Sequence, residues 1–249
     1  EKRCWVRWIG LACLLAVVLQ GLLGGLTVLL TLPLLVSVAH GVLGQVFFVL
    51  TLVLAYSLSR ERFERDSVRE PSSAQFKKAS IGLVVLVMLQ LVVAVYMRHD
   101  MKHQGGIAVP DFPTVAGQWW PAFDAEALSW VNSWREAAVW EHGAKYELNE
   151  PVRRSQMIVH VIHRGLAFLI LAACIVVSLP GMLKGIPEIV SRSVYTLDAL
   201  VALQIMLGVM VVWSSKGELL ATLHVVLGAA LLGMAVLLVL RATPLRKEA

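Results

Sequence analysis

The sequence predicts an all-α, polytopic membrane protein with about six transmembrane helices. Of its 249 residues, 58% are hydrophobic and only 16% are charged, whereas a soluble domain carries about 25% charged residues. Several uninterrupted apolar runs reach about twenty residues, the length that crosses ~30 Å of hydrocarbon at ~1.5 Å per residue. The net charge of +5 does not indicate nucleic-acid binding, because the basic residues lie beside the apolar runs, as in membrane topology.

Six apolar runs mark the predicted spans, and short polar or helix-breaking segments separate them. Pro33 lies between the first two runs, and Pro180-Gly181 ends the fourth. Residues 60–77 carry charges of both signs around Pro71 and predict a solvated linker between two bundles. The six runs cover residues 5–30, 34–58, 78–97, 155–179, 192–213 and 218–241.

The cysteines and the N-terminus exclude some classes of protein. Cys4, Cys13 and Cys174 lie inside apolar runs or at the edge of one, so the sequence predicts neither a disulfide nor a cysteine zinc site. The first run is too long for a signal peptide and lacks a small-residue cleavage site. A start at Glu1 is compatible with a processed or truncated N-terminus.

Lysine and arginine are distributed unequally over the two sides of this topology. Fourteen fall on the side with both termini, the linker and the loop after the fourth span, and eight fall on the other side. Most of the eight belong to the long segment 98–154, where the charge rule is weaker. The positive-inside rule predicts cytoplasmic termini and an outward-facing segment 98–154.

The first two spans and the last two align without a gap at an offset of 184 residues. Apolar identities between membrane helices are common, but coincident Gln, Gly and His in one register are not. Both helix pairs run in the same direction, so the sequence predicts a parallel repeat of a four-helix unit rather than an inverted one. Spans three to six form one unit, and spans one and two form the second half of another. The register places Leu19-Gln20-x-x-Leu23-Gly24 on Leu203-Gln204-x-x-Leu207-Gly208, and His40-x-Val42-Leu43-Gly44 on His224-x-Val226-Leu227-Gly228.

Four of the seven histidines, His40, His160, His163 and His224, fall within predicted spans. Each could be a hydrogen-bonded core histidine, but ionisable residues inside a membrane usually line a functional site. His40, His163 and His224 lie about seven to nine residues inside the outer ends of their helices, roughly 10 Å deep. Histidines at one depth on different helices are what bis-imidazole ligation of a heme requires. Zinc is the weaker interpretation, because the spans offer no cysteine pair and almost no carboxylate.

Neighbouring residues leave several roles open. Gly44 and Gly228 lie one turn beyond a histidine, where a small residue would admit a flat macrocycle or allow ordinary helix packing. Arg164 directly follows His163, where its charge would suit a heme propionate or would reach the membrane interface. His160 lies one turn before His163 and could support it or replace it as a ligand. The glutamines of the Leu-Gln pairs predict interhelical hydrogen bonds.

The segment after the third span is not a generic linker. Arg98-His99 is followed by Gly-x-Ala-x-Pro-Asp-Phe-Pro at 106–113, and its glycines, prolines and aromatic residues predict an ordered lid over the outer helix ends. Trp130 and Trp134 recur at helical spacing, which suggests an interfacial amphipathic helix within 118–146. This loop motif, the His163-Arg164 pair and the repeated Leu-Gln and His helices together resemble the heme A synthase family. The resemblance covers nearly the whole chain.

The resemblance implies an eight-helix protein of two four-helix halves that converts heme O to heme A for terminal oxidases. It implies that His163 and His224 hold a heme b cofactor, with Arg164 and His160 beside it. It also implies that His40 is catalytic and binds the heme O substrate in the N-terminal half. Heme O synthase and terminal oxidase assembly proteins are implied as partners, beside membrane lipid. The implied location is the bacterial cytoplasmic membrane, with the heme sites near its outer face.

This sequence departs from the family pattern at its beginning. Residues 1–59 match the second half of the N-terminal bundle, 60–77 the linker, and 78–249 the C-terminal bundle. The family's other N-terminal histidine and a nearby glutamate would lie on helices that this sequence lacks, so we expect the chain alone not to complete heme O oxidation. The alternative functions are a membrane b-type cytochrome that only passes electrons, and a transporter or assembly factor with structural histidines.

Overall fold

The computed structural model describes residues 2–66, 73–101, 107–142 and 150–243. Within these ranges nine helices form and no strand is found. The helices are α1 (Cys4–Leu29), α2 (Leu34–Ser57), α3 (Arg60–Asp66), α4 (Ala74–Asp100), α5 (Ala125–His142), α6 (Arg154–Ser178), α7 (Pro180–Leu183), α8 (Glu188–Trp213) and α9 (Glu218–Ala242).

Six of these helices are long and apolar enough to cross a membrane, and they confirm the six predicted spans. Two begin about four residues earlier than the hydropathy predicts. In α4 the Ser73 hydroxyl accepts a hydrogen bond from the Phe76 amide at 3.1 Å, which caps the helix in the polar sequence before the apolar run. In α8 the first residue, Glu188, follows Pro187 and places a carboxylate in the first turn, where the helix dipole favours it.

Four long helices form a bundle, and the α1–α2 hairpin packs against it. Helices α4, α6, α8 and α9 pack as a ring in which α6 lies between α4 and α8, and α9 also contacts both. Fully buried residues such as Leu83, Leu197 and Leu232 fill the centre of this bundle. Helix α2 contacts α4 and α9, so the hairpin joins the bundle through α2.

The predicted repeat is visible in the backbone of two turns. Thr31 and Leu32, between α1 and α2, have φ of 53° and 61°, and their equivalents Ser215 and Lys216, between α8 and α9, have φ of 51° and 68°. The amide of the second residue of each turn donates to a carbonyl of the preceding helix, at 2.7 Å in the first turn and 2.8 Å in the second. Both hairpins therefore turn in the same way at equivalent positions.

The segment between α4 and α6 is ordered where the structure describes it, as the sequence predicts for a lid. We call the end of the bundle that carries this segment the loop end. A small apolar cluster lies there, with Val109 from the loop, Val131 from α5 and Met157 from α6 at its centre. The Asn132 side chain joins α5 to the chain before α6, because it accepts from the Val152 amide at 2.8 Å. Residues 102–106 and 143–149, which include His103 and the first glycine of the motif, Gly106, lie outside the described residues.

The opposite end, which we call the linker end, is held by charged groups of the predicted linker. Part of this linker folds as α3, and Arg241 of α9 binds both carboxylate oxygens of Glu61 at 2.8 Å. Arg62 donates to the Leu240 and Thr243 carbonyls at the end of α9. The described part of the linker thus packs on the bundle, although its composition predicts a solvated segment.

Candidate functional site

Two of the predicted histidines meet inside the four-helix bundle. His163 on α6 and His224 on α9 have ring centroids 6.5 Å apart and ring planes inclined by 62°. A metal held between two imidazoles, with metal–nitrogen bonds of about 2.0–2.1 Å, separates the ring centroids by roughly 6.3 Å. The two rings therefore stand at the spacing that one shared iron requires. The two histidines are 61 residues apart in the sequence.

A glutamine from a neighbouring helix contacts each of these histidines. The Gln90 amide nitrogen on α4 donates to the backbone carbonyl of His163 at 3.0 Å and lies 3.3 Å from Nε2 of the same residue. Gln204 on α8 repeats this arrangement with His224, at 3.0 Å and 3.3 Å. These contacts confirm the predicted interhelical hydrogen bonds for two of the glutamines. The pattern of Leu-Gln on one helix and His on the next is a signal for them in the sequence.

Each histidine of the pair keeps one ring nitrogen unpaired. The Nδ1 atoms of His163 and His224 are buried without a hydrogen-bond partner among the described residues. Buried polar atoms rarely lack partners, and such an atom calls for a specific explanation. Together with the ring spacing, unsatisfied imidazole nitrogens in an apolar bundle fit a heme, whose iron accepts imidazole ligands on both faces.

His40 lies on α2, in the α1–α2 hairpin. Its Nδ1 is also buried without a partner among the described residues. A Cβ placed on Gly24 of α1 would lie 3.1 Å from Cε1 of His40, and one placed on Gly208 of α8 would lie 3.2 Å from Cε1 of His224. The two histidines thus occupy equivalent positions against equivalent glycines. The structure brings His163 and His224 together, and places His40 at the equivalent position of the α1–α2 hairpin.

The glycines one turn beyond the histidines face glutamine side chains. A Cβ on Gly44 would lie 3.1 Å from the amide nitrogen of Gln20, and one on Gly228 would lie 3.3 Å from that of Gln204. The space beside these glycines is filled by a carboxamide. Close helix packing is therefore the better of the two interpretations that the sequence leaves open for them.

His160 and Arg164 hold the loop rather than contacting the pair directly. Nδ1 of the buried His160 accepts from the Val109 amide at 3.0 Å. The Arg164 guanidinium donates to the carbonyls of Val109 at 2.9 Å, Asp111 at 2.7 Å and Thr114 at 3.1 Å. Both residues lie within one turn of His163, so the segment that covers the loop end is attached beside the histidine pair.

The carboxylate of Asp111, a residue of the sequence motif, holds the loop in a turn. The two carboxylate oxygens of Asp111 accept from the amides of Ala116 and Gly117, each at 3.0 Å. Gly117 has a φ of 77°, a conformation that glycine adopts without strain. The Asp in Pro-Asp-Phe-Pro therefore shapes the lid, a role visible only once the turn at 111–117 is known.

Positive charge accumulates at the loop end. Lys216 lies in the turn between α8 and α9, and partial burial together with the charge of nearby Arg98 lowers its pKa below the usual lysine value. Burial also lowers the pKa of Arg135 on α5. Partial burial next to a like charge disfavours the protonated form of Lys216, and an anion close to Lys216 and Arg98 would favour it.

Comparison with known proteins identifies the family of the chain. A family model described as cytochrome oxidase assembly protein matches residues 1–236. The chain belongs to this family. A heme A synthase of Novosphingobium aromaticivorans is 27% identical over 158 residues, which cover 64% of this chain and 40% of that protein. The resemblance to heme A synthases is thereby confirmed, and the chain matches two fifths of the length of this relative.

Proposed function

We propose that this chain is a heme A synthase-type oxidoreductase of the membrane, with a b-type heme between His163 and His224. The observation that carries the proposal is the 6.5 Å separation of the two rings, which suits a single shared iron. Family membership supports a role in cytochrome oxidase assembly. The relative's name, heme A synthase, supports heme A as the product, and the resemblance of the sequence to that family implies heme O as the substrate.

The residues of the pair would bind the cofactor in a defined way. Each imidazole offers one nitrogen lone pair, and the apolar helices around the pair exclude water. The cationic loop end, with Lys216 and Arg98, suits the carboxylates of the heme propionates. The Arg164 guanidinium donates hydrogen bonds to three loop carbonyls. Its predicted contact with a propionate would therefore need an N–H group that these three bonds do not use. When bound, the heme would supply one-electron redox chemistry.

The substrate site belongs to the α1–α2 hairpin in this proposal. His40 stands where His224 stands in the other unit, and its unpaired Nδ1 supports a role in binding the iron of heme O. The reaction would be the oxidation of a heme methyl group to a formyl group by stepwise hydroxylation and loss of water, with an external oxidant that accepts the electrons. Membrane lipid surrounds the spans, and heme O synthase and terminal oxidase assembly proteins are the proposed partners. Both sites lie near the outer face if both termini are cytoplasmic.

A b-type cytochrome that only passes electrons is the second candidate. It needs the same His163–His224 pair, because two protein ligands leave no open position on the iron for chemistry. The two candidates differ in what they require of His40. The enzyme needs it to bind the substrate, and the cytochrome does not.

Pyridine hemochrome analysis of the purified protein tests the proposal, since it reports both the presence and the type of heme. His163→Ala and His224→Ala should each lose most of the bound heme b. His40→Ala is the matched variant, because it removes a histidine at an equivalent position outside the pair and should retain this heme. Full heme with an unchanged optical spectrum in either pair variant would contradict the assignment. Equal binding of added heme O by the wild-type chain and by His40→Ala would favour the cytochrome.

A further inference from the structure

We propose that the lid carries a tip that inserts into the lipid headgroup region at the loop end of the spans. The tip consists of residues 117–121, with Trp119 and Trp120 at its centre. These two indoles are 77% and 87% exposed, whereas Trp130 and Trp134 of α5 are each 37% exposed. Large exposed apolar side chains that lie next to each other mark an interaction surface. The proposal is independent of the heme site.

The tip follows a turn that both the bundle and the lid hold in place. The Arg164 guanidinium donates to the Thr114 carbonyl at 3.1 Å, which fixes the chain just before the turn. The next residue, Val115, exchanges two backbone hydrogen bonds with Gln118, at 2.9 and 3.1 Å. The Asp111 carboxylate accepts hydrogen bonds from two amides of the same turn. The two indoles therefore project from an ordered support.

The histidine pair shows how deep the lid lies along the bundle. His224 follows Glu218, the first residue of α9, by six positions, which is about 9 Å of helix rise. Its ring meets that of His163, so the two histidines lie at a similar depth. His160 lies one turn nearer the loop end, and its Nδ1 accepts from the Val109 amide. At Val109 the lid thus lies roughly 4–5 Å below the beginning of α9, beside the ends of the spans rather than above them.

This depth and the chemistry of the tip both suit the membrane–water interface. Tryptophan is enriched there, because its indole is apolar and carries one N–H donor. Residues 112–123 contain no charged side chain that would oppose contact with lipid. Trp213, the last residue of α8 at the same end of the bundle, is also exposed. The surface that the spans present to lipid therefore continues onto the tip.

A soluble partner protein is the other class of ligand for an exposed tryptophan pair. Such interfaces surround their aromatic centre with a polar rim. Apart from the indoles, the tip offers one polar side chain, that of Gln118. The composition of the tip thus favours lipid over a protein surface. Because the tip carries no cation, its contact with the membrane should not require anionic lipid.

Nitroxide labels on the full, heme-free chain in phosphatidylcholine nanodiscs test the proposal. In a cysteine-free background, a label at Gln118→Cys lies next to both indoles and should collide with oxygen more often than with a water-soluble nickel chelate. Glu126→Cys is the matched control, because Glu126 is an exposed, charged residue in the first turn of α5. Its label should collide more often with the nickel chelate. Adding phosphatidylglycerol to the nanodiscs should change neither ratio.

Removal of the indoles tests whether they cause the insertion. Adding Trp119→Ser and Trp120→Ser to the Gln118→Cys protein should lower its oxygen-to-nickel collision ratio to the value of the Glu126→Cys control. Both indoles are exposed, so serine leaves the packed part of the lid intact, and Trp120→Ser alone replaces the double variant if that variant does not fold.

Three results would overturn the proposal. Equal ratios at Gln118→Cys and Glu126→Cys, with both tryptophans present, would place the tip in water and leave a protein partner as its ligand. A high ratio that the serine substitutions do not change would show that the tryptophans are not the anchor. A ratio that rises only with phosphatidylglycerol would show that cations elsewhere on the chain, and not the uncharged tip, make the contact.

Discussion

Replacement of Arg164 by leucine should release the lid from the bundle. Its guanidinium donates three hydrogen bonds to loop carbonyls, at 2.7, 2.9 and 3.1 Å. Hydrogen bonds to charged groups contribute about 1.5–3 kcal/mol each. The released carbonyls can hydrogen-bond to water at the loop end, which recovers part of this energy. We therefore expect the free energy that keeps the lid closed to fall by about 2–3 kcal/mol, which is half of the minimum sum for the three bonds. A loss of this size increases lid opening roughly 30- to 150-fold.

Hydrogen exchange measured by mass spectrometry on peptides covering residues 107–118 tests this directly. The Val109 amide is hydrogen-bonded to His160 of α6 in the closed lid, so its exchange reports lid opening. The amides of Ala116 and Gly117 are bonded to Asp111 within the loop and report whether its turn stays folded. Arg164→Lys should give an intermediate effect, because an ammonium cannot span three carbonyls with the geometry of a guanidinium. Arg153→Leu is the control, since Arg153 pairs with Asp100 from a side chain that is 58% exposed, and such a pair contributes little.

One result would refute this reasoning. If Arg164→Leu leaves exchange in 107–118 unchanged in the heme-free protein, the three hydrogen bonds do not hold the lid. Loss of bound heme without any change in lid exchange would instead favour the propionate role that the sequence suggests for Arg164. The two measurements on one variant therefore distinguish lid anchoring from cofactor contact.

Three further predictions concern other parts of the chain. A single cysteine at Ser133 in a cysteine-free background should react with a membrane-impermeant reagent only from the outside, and labelling only from the cytoplasm would reverse the topology. Gly208→Ala should weaken heme b binding in a titration, because the new Cβ would lie 3.2 Å from the ring of His224 on α9. Gly25→Ala is the control and should bind heme normally, because its Cβ would have no atom within 4 Å. Glu61→Gln should lower the thermal unfolding midpoint, since it breaks a bidentate and partly buried ion pair between α3 and α9, and Glu64→Gln, in an exposed pair, should leave it unchanged. Equal midpoints for the last two variants would show that the α3 contact contributes no stability.

Features that depend on local sequence could be predicted well. The six spans follow from runs of apolar residues, because a helix satisfies its own backbone hydrogen bonds and its length and apolar side chains determine whether it can cross a bilayer. The repeat follows from an ungapped register, and the φ values of 53° at Thr31 and 51° at Ser215 differ by only 2° at equivalent positions. Depth counting along separate helices identified His163 and His224 as candidates for one site. None of these inferences requires knowledge of which helices are neighbours.

Helix starts and the linker show where local pattern was insufficient. Hydropathy alone places the beginning of α4 too late, because the Ser73 cap stabilises a first turn that is polar. The linker composition predicts a solvated segment, whereas Glu61 and Arg62 of α3 bind the end of α9. In both cases a side-chain hydrogen bond outweighs what composition indicates.

The sequence by itself determined the class of protein, its spans and its repeat, and it identified the histidines that we propose as heme ligands. Only the tertiary structure decided how these residues are used. Gln90 lies 73 positions from His163, and Arg164 lies 50 to 55 positions from the carbonyls that it binds. Such hydrogen bonds depend on the distance and angle between groups on separate helices and loops, and helix packing sets both. Spacing along the chain therefore identifies the residues that can react, and the packed bundle determines which of them meet.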